Sequence, residues 1–196
     1  MPGSSTLSLV VILRVVSLLA FGACVARRSN GGKHETSAPP GESRGSRLPV
    51  AFNLASFAAF YPVLIAAAGG TDGPLPLLLS IAGCACAVAG AALFRRSRAA
   101  LGPAWSLTPR AGEQTGVVTT GPYRLVRHPI YLALSTVAAG QAIAFGNGLA
   151  LLIVLGAVIP SFVWRAHVEE QLLTRTFGDR YLAYRGRTKM VIPYLL

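Results

Sequence analysis

Apolar runs interrupt the polar sequence five times. Leu7–Ala26 contains one charge, Arg14, whereas Val50–Ala68, Leu75–Phe94, Ile130–Phe145 and Leu149–Trp164 contain none. The first three runs hold about 20 residues, enough for a hydrocarbon core of about 30 Å at a helical rise of about 1.5 Å per residue. The last two hold about 16 and reach roughly 24 Å. They are expected to begin or end inside protein or among headgroups, as helices near a membrane-embedded site do. The pattern predicts an all-α integral membrane bundle of about five transmembrane helices with a cytoplasmic C-terminal cap.

The connections set the expected orientation. Arg27–Pro49 carries five cations against Glu35 and Glu42, and Arg95–Pro129 carries Arg95, Arg96, Arg98, Arg110, Arg124 and Arg127 against Glu113. From Arg165 onward, Arg165, Arg175, Arg180, Arg185, Arg187 and Lys189 stand among three acids. Gly69–Pro74 has only Asp72, and Gly146–Gly148 has no charge. Basic and non-basic connections alternate, which predicts the N-terminus outside and the basic loops in the cytoplasm. Met1–Val11 holds no Lys or Arg, so the first run reads as a span rather than a signal peptide.

The expected organisation is a first helix over 1–26, a flexible cytoplasmic linker over 27–49, a transmembrane hairpin over 50–94, and a region over 95–196 that holds helices four and five. The turns GGTDGP and FGNG predict that segments two and three pair, as do four and five. Ala82, Gly83, Ala85, Ala87, Ala89 and Gly90 crowd the third segment with small side chains, which permits close helix contact.

Composition agrees. Of 196 residues 53% are hydrophobic and only 13% charged, against roughly 25% charged in soluble domains. The net charge of +11 is confined to a few segments, so it reads as topology rather than affinity for nucleic acid. Cys24, Cys84 and Cys86 lie in apolar runs without a zinc-like spacing and read as buried thiols.

Chemistry concentrates in the last third. In Gly121–Tyr131, GPYRLVRHPIY, Pro129 suits the first position of a helix, which places His128 and Tyr131 about one turn apart at the positive end of its dipole. That end could receive a carboxylate or phosphate; equally, His128 could cap the helix while Arg124 and Arg127 hold lipid phosphates. The fifth helix is expected to leave the membrane near Trp164, run to about Phe177 and stop at Gly178. Arg165 and Glu169 share a face there, as do His167 and Glu170. One of the adjacent glutamates is expected to bind ligand and the other to pack or face solvent. One His and two acids lack the ligand set zinc needs, so no metal is expected. A helix N-terminus, a His, a Tyr, a carboxylate and an Arg suit a zwitterionic ligand bearing hydroxyls. S-adenosylmethionine is such a ligand, and the chain has no Gly-rich phosphate loop.

Thr119–Leu132, TTGPYRLVRHPIYL, and Arg165–Tyr184, RAHVEEQLLTRTFGDRYLAY, resemble the isoprenylcysteine carboxyl methyltransferases and their phospholipid methyltransferase relatives. The matching features are GPY, RHPxY, RxxxEE, the step from Glu170 to Gly178 and FGxxYxxY, over some 40% of the chain. The resemblance implies an S-adenosylmethionine-dependent enzyme on a lipid-tailed or prenylated acceptor, its cofactor entering from the cytoplasm and its acceptor from the bilayer. Carried over, the cofactor site comprises Thr115, Gly116, Val117, Val118, Tyr123, His128, Pro129, Ile130, Tyr131 and Glu169. Arg165 lies near the acceptor, and Arg165 and Glu169 are the catalytic candidates. A carboxylate acceptor needs alignment rather than a base; a phenol or amine would call on Glu170 or His167. Phenolic lipids and phospholipids stand as alternative acceptors, and a sterol-reductase-like NADPH enzyme or a small transporter as alternative proteins.

Overall fold

The computed structural model describes residues 3–25, 47–66, 68–71, 73–102 and 116–191. Helix α1 spans Gly3–Val25, α2 Arg47–Ala66, α3 Pro74–Leu101 and α4 Pro129–Ala144; α5 Gly148–Ile153, a π turn Val154–Val158 and α6 Ile159–Phe177 follow, then α7 Asp179–Arg185. Among the described residues four helices are long and apolar enough to cross a membrane, within α1, α2, α3 and the continuous Gly148–Phe177 helix, and α4 is a shorter apolar one. Among the described residues there is no named strand, only a parallel bridge between Val126 and Lys189.

Local chemistry sets the boundaries. Pro74 opens α3 after Gly73, whose φ of 99° few other residues adopt. The side chain of Asn147 accepts from Ala150 N at 2.9 Å and so caps α5. Pro160 cannot donate to the carbonyl of Gly156, and its ring crowds that oxygen. The backbone widens there into the π turn, with Ile159 N bonded to Val154 O. Gly178, at φ 52°, ends α6 where the sequence placed its stop.

The two shorter apolar runs have different fates. The fourth is a helix of 16 residues. The fifth extends past Trp164 as a single helix to Phe177, which carries Arg165 and both glutamates on a rigid rod. The third run likewise continues beyond Phe94 to Leu101.

Tight turns do not make the second and third segments into a packed pair. α3 packs on α4 and α1, whereas α2 packs on α5, the π turn and α6. The reason lies in the small residues of α3. A Cβ added at Gly83 would lie 2.3 Å from Ala144 N, and one at Gly140 2.6 Å from Ala87 N. One at Gly90 would meet Ala133 O at 2.9 Å. The α3 and α4 backbones therefore touch, a contact that α2, with its larger side chains, cannot offer. Instead α2 sends Phe57 against Phe162 of α6, ring centroids 6.0 Å apart, and Asn53 Nδ2 donates to Ser161 Oγ at 2.8 Å.

At one end of the bundle the two glycine-containing turns meet, Gly69 N donating to Phe145 O at 2.8 Å. α3 leaves that end and carries Arg95, Arg96 and Arg98 to the other, where the 3-10 turn Gly121–Arg124 packs on it.

Candidate functional site

The site forms where α4 begins and α6 passes it. His128, at the N-cap position of α4, makes no side-chain capping bond. Its ring lies parallel to that of Tyr131, centroids 5.3 Å apart and planes 2° apart. Phe162 of α6 also stacks with Tyr131, at 5.1 Å and 19°. The three rings form a column against which Val158, Ala166 and Val191 close.

Polar groups converge on the column's edge. Tyr131 Oη donates to Glu169 Oε1 at 2.5 Å. Arg165 Nε lies 3.8 Å from the same oxygen, and its guanidinium carbon stands 5.4 Å over the Tyr131 ring, a cation–π arrangement. His128 Nδ1 is 3.4 Å from Glu169 Oε2. His128, Tyr131, Arg165 and Glu169 are thus brought together from two helices.

Of the two adjacent glutamates, Glu170 is the one that packs rather than facing solvent. Glu170 is buried and points at the same imidazole from the other side, its Oε1 3.5 Å from His128 Nε2. Glu170 Oε1 also accepts from Arg127 Nε at 2.5 Å, and its Oε2 lies 3.5 Å from Arg185 Nε. A flat ring placed between neighbouring helical positions can meet both carboxylates. Arg127 is therefore an internal residue, not a holder of lipid phosphate, and its Nη1 also donates to Thr188 O and Arg185 O. His167 stays outside, exposed, with Nδ1 against Val163 O at 2.8 Å.

The backbone around the start of α4 is bonded to the segment after α7. Arg127 N donates to Lys189 O at 2.8 Å and His128 N to Met190 O at 2.9 Å. Tyr131 N and Leu132 N both donate to His128 O. The Tyr131 and Leu132 donors at this helix end are thus engaged within the chain. The same bonds lay the chain after α7 alongside the approach to α4, which fixes His128.

Tyr123, in the 3-10 turn, is buried, and its carbonyl accepts from Tyr184 Oη at 2.7 Å. Burial pushes its phenol well up, with the Tyr184 and Glu169 charges adding to the effect. Burial also pushes Tyr184 up to about 12. Both phenols therefore keep their protons near neutrality. Burial opposes the charged form of His128, but the Glu169 and Glu170 carboxylates outweigh it and hold its pKa above the ordinary histidine value.

Pro129 is buried as the first residue of α4, and Ile130 is half-buried beside it. Gly116, Val117 and Val118 lie in extended chain leading to the 3-10 turn. Thr115 lies outside the described residues. Sequence reasoning missed Arg127, Arg185 and Phe162 as site residues. Arg127 was signalled by its place beside His128 in RHP, whereas Arg185 carried no signal. No group of three metal-ligating side chains occurs among the described residues.

The model of the phospholipid methyltransferase family matches residues 78–180, just over half of the chain. Protein-S-isoprenylcysteine O-methyltransferase A of Arabidopsis thaliana is 31% identical over 83 residues, 42% of this chain and 42% of that protein. The Saccharomyces cerevisiae protein-S-isoprenylcysteine O-methyltransferase is 33% identical over 79 residues, 40% of this chain and 33% of its own length. The match thus spans less than half of these relatives. A eukaryotic intramembrane Ras methyltransferase, isoprenylcysteine carboxyl methyltransferase, shares the fold with a TM-score of 0.54 at 20% identity, over 96% of this chain and 64% of that one.

Proposed function

The chain belongs to the phospholipid methyltransferase family and has several helices of membrane-spanning length, and on that basis we propose that it transfers a methyl group from S-adenosylmethionine to a lipid-tailed acceptor, a prenylated cysteine carboxylate first among them. The observation that carries this reading is the convergence of His128, Tyr131, Arg165 and Glu169 on one buried edge at the end of a bundle.

The donor set fits the cofactor. S-adenosylmethionine presents a carboxylate, an ammonium and two ribose hydroxyls, and no phosphate. His128 and Arg165 are cationic partners for a carboxylate, and Glu169 is an acceptor for ammonium or hydroxyls. When bound, the sulfonium supplies a methyl already activated for displacement. The protein's contribution is alignment and dryness. Tyr131 holds Glu169 by its hydroxyl while its ring stacks with His128 and Phe162. Arg165 orients an ionised acceptor, which needs no general base. The Phe162 and Phe57 rings lead away from this edge between α6 and α2, an apolar direction suited to a hydrocarbon tail.

In this reading 95–196 is the catalytic region, with Gly116–Val118 and Tyr123 bordering the cofactor. The end that carries Arg95, Arg96, Arg98, Arg175, Arg180 and Arg187 faces the cytoplasm, which the positive-inside rule supports.

The test is thermal unfolding of the detergent-purified chain with and without S-adenosylhomocysteine. A ligand of the folded state raises the unfolding temperature, and Glu169→Gln is expected to abolish the rise. Labelled methyl transfer to N-acetyl-S-farnesylcysteine, released by mild base as an ester must be, identifies a carboxylate acceptor. A base-stable product identifies a phenol or amine instead. Folded protein that saturating S-adenosylhomocysteine leaves unchanged overturns the proposal.

A further inference from the structure

The two adjacent glutamates face different surroundings. Glu169 stands on the ligand side, among Tyr131 Oη at 2.5 Å and Arg165 Nε at 3.8 Å. Glu170 stands on the scaffold side, between Arg127 Nε at 2.5 Å and Arg185 Nε at 3.5 Å. His128 lies between them at ion-pair distance through different ring nitrogens, Nδ1 toward Glu169 at 3.4 Å and Nε2, which is buried and makes no hydrogen bond, toward Glu170 at 3.5 Å. A neutral imidazole has a proton on one nitrogen and a lone pair on the other. Whichever nitrogen were bare would aim that lone pair at a carboxylate oxygen. Only the imidazolium offers an N–H to both.

We propose that Glu170, braced by Arg127, is a positioning residue that keeps His128 doubly protonated and its Nδ1–H directed into the cofactor site. The pair touches no ligand itself. Arg127 is suited to the brace because its guanidinium also reaches the carbonyls of Arg185 and Thr188, which fixes the carboxylate to the segment that pairs with the His128 backbone. This rests on the methyltransferase reading for its consequence, a cationic partner for the cofactor's carboxylate, but not for its test. The charged and titratable groups around His128 are Glu169, Glu170 and Arg165 of α6, Tyr131 of α4, Tyr181, Tyr184 and Arg185 of α7, and Arg127 beside it.

The experiment is a pH titration by NMR of the full chain labelled with 13Cε1-histidine in detergent, the His128 signal being the one absent from His128→Gln. Wild-type His128 is expected to titrate above the ordinary value of about 6.5, and Glu170→Gln to move the midpoint down. A wild-type midpoint at or below that value overturns the proposal without reference to any variant. So does an unchanged midpoint in folded Glu170→Gln. Affinity for S-adenosylhomocysteine, measured in parallel, is expected to fall about tenfold in Glu170→Gln at pH 8, the worth of one charge-assisted hydrogen bond. If the titration behaves as expected and no affinity exists in any folded form, the positioning role stands and the methyltransferase reading falls.

Discussion

Tyr131 joins two kinds of interaction in one side chain. Its ring stacks with His128 and with Phe162, and its hydroxyl is spent on Glu169. Tyr131→Phe separates them, because the rings still stack. A hydrogen bond to a charged group contributes about 1.5–3 kcal/mol, so kcat/KM for methyl transfer is expected to fall roughly ten- to a hundredfold with little change in unfolding temperature. Activity equal to wild type would remove Glu169 orientation from the tyrosine's role. His128 makes a second prediction at this scale. Its folded-state pKa lies above its unfolded one because Glu169 and Glu170 outweigh burial. The stabilisation this provides is full below about pH 6.5 and is lost as pH rises through the folded value. The unfolding-temperature gap between wild type and His128→Gln should therefore narrow from pH 6 to pH 9. A gap that widens with pH contradicts the cationic ring.

Among the elements, α3 and α4 define the rigid part. Their backbones meet at Gly83, Gly90 and Gly140, where an added methyl would collide with main-chain atoms that cannot swing away. Gly140→Ala is expected to cost about 1–3 kcal/mol or more through overpacking. Gly22→Ala is the control, since its Cβ meets nothing within 4 Å and alanine favours a helix. Differential scanning of both variants in one detergent checks this, and equal stability would mean that the two helices slide freely. The small-residue run that makes the contact was legible in sequence; its partner was not. Adjacency through GGTDGP pointed to α2, but a turn fixes only where chains reverse, while the close approach needs a second small surface, and α4 has it in Ala133, Gly140 and Ala144. The site divided in the same way. Motif spacing was enough for His128, Tyr131, Arg165 and Glu169, each on its expected helix. That Glu170 is the glutamate that packs, against Arg127 and the His128 ring, was not legible, because adjacent helical residues point about 100° apart and the width of an imidazole placed between them has no trace in a one-dimensional pattern.

On the scale of the whole molecule, Arg14 stands against the charge pattern. The other described cations with known surroundings cluster at the end that holds the site, yet Arg14 is buried in an apolar helix at the opposite one. A charge in an apolar span is costly, by about 2.5–3.5 kcal/mol at mid-membrane on insertion scales, so its retention calls for internal partners. It has them on three elements. Nε donates to Ala144 O of α4 at 3.0 Å, and the two Nη groups to Gly69 O and Gly70 O at 3.2 and 3.0 Å. The guanidinium carbon lies 5.4 Å over the Phe145 ring. Arg14 thereby ties α1 to the two turns that meet beside it, one leading from α2 to α3 and the other from α4 to α5. Ala144 O keeps a second donor in Ser80 Oγ at 3.0 Å, so Arg14→Met leaves chiefly the two glycine carbonyls short of a partner. Their loss is expected to destabilise the fold by about 1–3 kcal/mol. Arg14→Lys should recover only part of this, since an ammonium lacks the planar fork that reaches three acceptors. Because the clamp is at the far end from His128, affinity for S-adenosylhomocysteine below the unfolding temperature should stay within about twofold of wild type, as expected for distant independent sites. Unfolding of Arg14→Met at the wild-type temperature would show the clamp to be dispensable, and a large loss of affinity in protein still folded would show that the two ends of the bundle are coupled.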